Sequence, residues 1–100
     1  MQITIQSPHV TPTEALTKFI KNKIGKLSHF YDRIEAAEVF LKTEKLDSGD
    51  DKVCEIRLAI PGNDLFVKKQ SNSFEEAVTK AVDSLHLEID KVKTRFEHQQ

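Results

Sequence analysis

The sequence predicts a two-layer α+β domain in the order β-α-β-β-β-α, a four-stranded mixed sheet carrying both helices on one face. Three observations predict it. Two stretches repeat apolar residues at steps of three and four, the period of a helix: Leu16, Ile20, Ile24, Leu27 and Tyr31 in the first, and Phe74, Val78, Ala81, Leu85, Ile89, Val92 and Phe96 in the second. Four other stretches alternate apolar with polar residues, the period of a half-buried strand. Helices with one apolar stripe and a sheet with one apolar face bury both only when the helices cover that face, which leaves the other sheet face in water.

Each element follows in chain order. Met1–Ser7 is a short strand, with Ile3 and Ile5 on one side and Gln2, Thr4 and Gln6 on the other; Pro8 ends it. The first helix opens at Thr11-Pro12-Thr13-Glu14, where either Thr11 or Thr13 has the spacing of an N-cap, and its amphipathic stretch runs from Ala15 to Arg33. Ala36–Glu44 is the second strand, with Ala37, Val39, Leu41 and Thr43 on one face. A turn follows at Ser48-Gly49-Asp50. Lys52–Ile60 is the third strand, with Cys54, Ile56, Leu58 and Ile60 inward and Glu55 and Arg57 outward. Pro61-Gly62 suits the centre of a type II turn into the fourth strand, Asp64–Ser71, which leaves Phe66 and Lys68 outside. Ser73-Phe74-Glu75-Glu76 has capping-box spacing and starts a second helix that no Gly or Pro interrupts, long enough at roughly 35–40 Å to overhang strands of roughly 25 Å. The helical connection makes strands one and two parallel; two turns make strands two, three and four an antiparallel meander.

Composition narrows the function. One hundred residues make a single domain, 1–100, with no room for a second core. One cysteine excludes an intramolecular disulfide, and neither a membrane-spanning run nor a signal-peptide pattern is visible, so a cytoplasmic location is expected. The four histidines have no metal-ligand spacing with one another or with Cys54, Asp47/Asp50/Asp51 lack the register of a calcium loop, and the glycines form no phosphate-binding loop. No catalytic residue, metal site or cofactor is expected, and the chain is not read as an enzyme.

What remains is charge. The formal net charge is −1, yet between Ala15 and Tyr31 there are four lysines, one histidine and no acid. Lys18, Asn22, Lys26 and His29 fall opposite the core stripe, and Lys23 at its edge. A solvated helix face usually mixes its charges, because i,i+4 acid–base pairs stabilise it. A one-sign face points to an anion such as a phosphate backbone. Further cations gather at Lys68/Lys69 and at Lys91, Lys93 and Arg95, and Phe40 and Phe66 face outward on the open sheet.

The opening Met1-Gln2-Ile3-Thr4-Ile5, the helix entry Thr13-Glu14-Ala15-Leu16, the block Lys23-Ile24-Gly25-Lys26-Leu27 followed by Tyr31-Asp32-Arg33-Ile34, and Val39-Phe40-Leu41-Lys42-Thr43-Glu44-Lys45 together resemble the bacterial ribosome hibernation-promoting factors. That family also goes by ribosome-associated inhibitors and sigma-factor modulation proteins. The resemblance spans the chain. It implies a domain that binds the small ribosomal subunit and its ribosomal RNA near the decoding centre, in the region used by messenger and transfer RNA, and so inhibits translation. It implies RNA contacts from Lys23 and Lys26 in the first helix and Lys91 in the second. Lys18 and Lys80 complete the candidate set, with Lys68 and Lys69 as further cations whose direction the sequence leaves open. The chain departs from the resemblance at Ser84, Leu87 and Glu88, where further basic residues are expected.

Two other readings stay open at this level. One is a protein-binding regulator, for example of a transcription factor, using Val92 and Phe96 at the overhanging end of the second helix. The other is a weak homodimer through that same end. Because the sequence ends at Gln100, the resemblance places it with the short hibernation-promoting form, which is expected to inactivate single ribosomes without by itself converting them into pairs.

Overall fold

Strand β1 (Gln2–Gln6), helix α1 (Glu14–Phe30), strands β2 (Ala36–Thr43), β3 (Lys52–Ala59) and β4 (Leu65–Ser71), and helix α2 (Phe74–His98) follow one another in the computed structural model. The structure describes residues 1–45, 47, 49 and 51–98, with side chains through Thr94. The expectations for Asp50 and for the Phe96 side chain lie outside the described residues.

The sheet order is β1-β2-β3-β4; β1 runs parallel to β2, and β2, β3 and β4 are antiparallel. Register sets whole rows of side chains on one face. Ile5, Val39, Ile56 and Val67 form one such row, flanked by Ile3, Ala37, Leu58 and Leu65. These residues share a single core cluster with Leu16, Ile20, Ile24 and Leu27 of α1 and Val78, Ala81, Leu85 and Ile89 of α2, so both helices lie on one face of the sheet. The predicted α+β architecture is the observed one.

Local chemistry explains the boundaries. Thr13 is the cap of α1: its side-chain oxygen accepts from the Leu16 N–H at 3.0 Å, which resolves the choice between Thr11 and Thr13. The helix stops three residues before Arg33, because Tyr31 is already extended (φ −145°, ψ 105°), with its N–H still bonded to the Leu27 carbonyl. Tyr31 reaches the core from extended backbone, so apolar spacing carried the expected helix past its end. Ser73 accepts from the Glu76 N–H at 3.2 Å, while the Glu76 carboxylate takes the buried Ser71 hydroxyl at 2.9 Å and ties the start of α2 to the end of β4. Gly62 has φ +94°, as the second central position of a type II turn requires.

The 25 residues of α2 span about 37 Å. Val92, near its C-terminal end, is half-buried and packs against the core cluster.

Candidate nucleic-acid interface

The lysines divide by their partners. On the open face of the sheet, Glu44 accepts from Lys68 at 3.2 Å and from Gln70 at 3.3 Å and lies 3.4 Å from Lys42, which in turn meets Glu55 at 2.7 Å. Hydrogen bonding to Lys68 is the largest influence holding the Glu44 carboxyl below its ordinary pKa, and the bond to Glu55 is the largest holding Lys42 above its own. Val53 lies between Lys42 and Gln70 in the register and is fully buried although it faces away from the helices. Phe40 is half-buried there and Phe66 is 54% exposed. Two of the cations on this face, Lys42 and Lys68, are already matched to acids, while the exposed Arg57 lies opposite Glu38 in the register with no ion pair among the described residues.

The helical face differs. Lys18 pairs with Glu14 at 3.3 Å, an i,i+4 contact from an acid just ahead of the acid-free stretch, and Lys91 pairs with Glu88 at 3.3 Å. Among the described residues no carboxylate lies within 4.0 Å of the ammonium groups of Lys21, Lys23, Lys26 or Lys80. Exposed pairs of the first kind are worth at most about 1 kcal/mol, so phosphate can displace them, but each subtracts a charge from its neighbourhood.

The helical period also assigns flanks. In α1, Phe19, Lys23, Lys26 and Phe30 follow one side of the core stripe, and this side faces α2: the Phe30 ring lies 4.1 Å from that of His86, at a 37° tilt. Lys93, seven residues beyond His86 and on the same flank of α2, sits 4.3 Å over the Phe30 ring and donates to the Phe30 carbonyl at 3.4 Å. Lys23 lies 5.6 Å from the Phe19 centroid. Cation–π contact and the carbonyl at the end of α1 fix these two ammonium groups in place without neutralising them. By helical period, Lys23 and Lys26 of α1 and His86 and Lys93 of α2 lie on the flanks that face one another across a seam between the helices, whose α2 side also carries the exposed Asp83 and Asp90.

Lys80 and Lys91 occupy the opposite flank of α2, beside Ser84 and Glu88, which line a cleft against β4 together with Lys69. Lys18 faces outward from α1, away from both. The contact of Lys93 with Phe30 puts it against the flank of α1 that bears Lys23 and Lys26, whereas Lys18, Lys80 and Lys91 lie on other flanks. The structure also answers which way the β4 lysines face: Lys68 points to the open sheet and Lys69 to the α2 cleft. The reading by sequence counted Lys93 only among loose cations. Its spacing of seven from His86, matching Lys23 to Phe30, was the available signal.

Residues 3–97 match the family described as Sigma 54 modulation protein / S30EA ribosomal protein. The chain belongs to this family. It is 29% identical over 96 residues to the ribosome hibernation promoting factor of Escherichia coli, covering 96% of this chain and 97% of the relative. It is likewise 29% identical over 97 residues to the factor of the same name from Acinetobacter guillouiae, covering 91% and 86%. Among solved structures, a ribosomal subunit interface protein from Coxiella burnetii superposes with TM-score 0.84 at 19% identity, over 94% of this chain and 99% of that one. The N-terminal domain of Protein Y from Thermus thermophilus gives 0.75 at 22% identity, over 92% and 99%. The two structures establish a shared fold. The family consists of ribosome-associated proteins and not of enzymes, in agreement with the sequence reading.

Proposed function

We propose that this protein is a cytoplasmic ribosome-binding factor of the hibernation-promoting type, which inhibits translation by occupying the RNA-lined channel of the small subunit. The observation that carries the proposal is the acid-free run of α1 after Glu14, whose Lys23 and Lys26 have no acid partner among the described residues, on the flank whose Phe30 meets Lys93, in a chain of net charge −1. Phosphate contacts from these cations supply affinity, and the rigid two-helix surface supplies register, since folded RNA is recognised largely by shape and backbone. The names of the family members support the ribosome as the partner.

The test is cosedimentation with purified small subunits, alongside in vitro translation, for the wild type and for the double variant Lys23→Glu/Lys26→Glu. Both lysines lie off the centre of the apolar stripe, so the variant should melt within about 1 kcal/mol of wild type. The expected result is loss of both binding and inhibition. A normally folded variant that still inhibits places the contact elsewhere.

A further inference from the structure

The outer edge of β1 lies on the other side of α1 from the seam above. In the parallel pairing, Gln2 donates to the Glu35 carbonyl at 3.4 Å, so Gln2, Thr4 and Gln6 direct their backbone groups to β2. Alternation turns the N–H and C=O groups of Ile3 and Ile5 outward. Among the described residues no partner reaches these four groups. Natural edge strands are usually blunted by a charge, a proline or a bulge. Gln2–Gln6 has none of these, and the edge borders an open groove lined by Ile3, Ile5, Pro12, Thr17 and Lys21.

The sequence of this edge, Gln-Ile-Thr-Ile-Gln, reads the same in both directions. We propose that β1 is a self-association edge, pairing antiparallel with β1 of a second copy about a two-fold axis at Thr4. Only a palindromic strand presents like to like throughout such a pairing: Ile3 opposite Ile5 of the second copy, Thr4 opposite Thr4, and Gln2 opposite Gln6. Ile3 and Ile5 form the hydrogen-bonded pairs and use all four outward groups, and Thr–Thr and branched aliphatic pairs are favourable cross-strand neighbours. Opposed residues share a face, so the two sheets join into one with all helices on the same side. The α1 flanks bearing Glu14, Thr17 and Lys21 then run antiparallel across the groove, with Glu14 of one copy towards the Lys21 end of the other. The contact is small, so the association is weak, with Kd on the order of 100 μM. The seams holding Lys23, Lys26 and Lys93 stay open, and the inference is independent of the ribosomal role.

Sedimentation velocity up to about 1 mM protein tests it, since that concentration exceeds the expected Kd roughly tenfold. Wild type should show a monomer–dimer equilibrium. Thr4 is exposed on the open sheet face, so Thr4→Lys and Thr4→Glu should leave the melting temperature unchanged. Each alone places like charges opposite each other and should weaken the dimer about fivefold or more, and the two mixed should restore it. Amide exchange at Ile3 and Ile5 should slow as protein concentration rises. A wild type that stays monomeric throughout, or a dimer indifferent to both Thr4 variants, overturns the proposal.

Discussion

The Cys54 thiol is pushed up to about 12, mainly by burial and secondarily by the neighbouring Glu55 charge. The reactive species is the thiolate, so at pH 8 the folded protein should react with a thiol reagent roughly a thousandfold more slowly than the urea-unfolded chain. Equal rates would mean that Cys54 is not in the core. Glu44 has the opposite character. Its folded pKa lies below the ordinary 4.5, so its contribution is complete above that value and is lost as pH falls through the folded pKa. Lys42, raised above 10.5, contributes below that value and loses its contribution as pH rises through its folded pKa. Glu44→Gln should therefore lower the urea midpoint at pH 7 and make no difference at pH 2, measured against wild type at each pH. A difference that persists at pH 2 would show that charge is not the cause. Alternation in the third strand already placed Cys54 inside. It gave no sign that Val53, on the other face, is fully buried, because its cover is a set of ion pairs between three strands that only the register brings together.

The helices separate what periodicity can and cannot tell. Spacing of three and four located both cores, and the capping residues of both helices were readable within two positions. Which flank of each helix faces the other was not, because that depends on how α1 and α2 lie across the sheet. The contact between Phe30 and His86 decides it, and with it the partition of the lysines. If the seam is the RNA contact, Lys23→Glu/Lys26→Glu should weaken binding to small subunits far more than Lys80→Glu/Lys91→Glu, although both change the charge equally. Filter-binding titrations of the two double variants compare them directly, and equal losses would mean that net charge alone drives binding. Ile24→Asp, which buries an unpaired charge at a site with no exposed surface, should unfold the domain and marks the outcome to be distinguished from a surface effect.

At the scale of the molecule, charge distribution matters more than charge sum. Net charge of −1 describes neither face: on the open sheet Lys42 and Lys68 are matched to acids, and on the helical face Lys23 and Lys26 are without an acid partner among the described residues, on the flank of α1 that faces α2. The sequence showed that α1 lacks acids after Glu14, but the neutralisation of Lys42 and Lys68 depends on β2 lying beside β3 and β3 beside β4. The central claim is that this seam neutralises ribosomal RNA phosphates, and its most direct measurement is the salt dependence of the affinity for purified small subunits. With Lys23, Lys26, Lys93 and one further lysine each releasing counterions, log Kobs against log salt between about 50 and 200 mM should fall with a slope of roughly −3. The slope should shrink by about 1.5 in Lys23→Glu/Lys26→Glu, if that variant retains measurable binding. A slope near zero for the wild type would contradict the account.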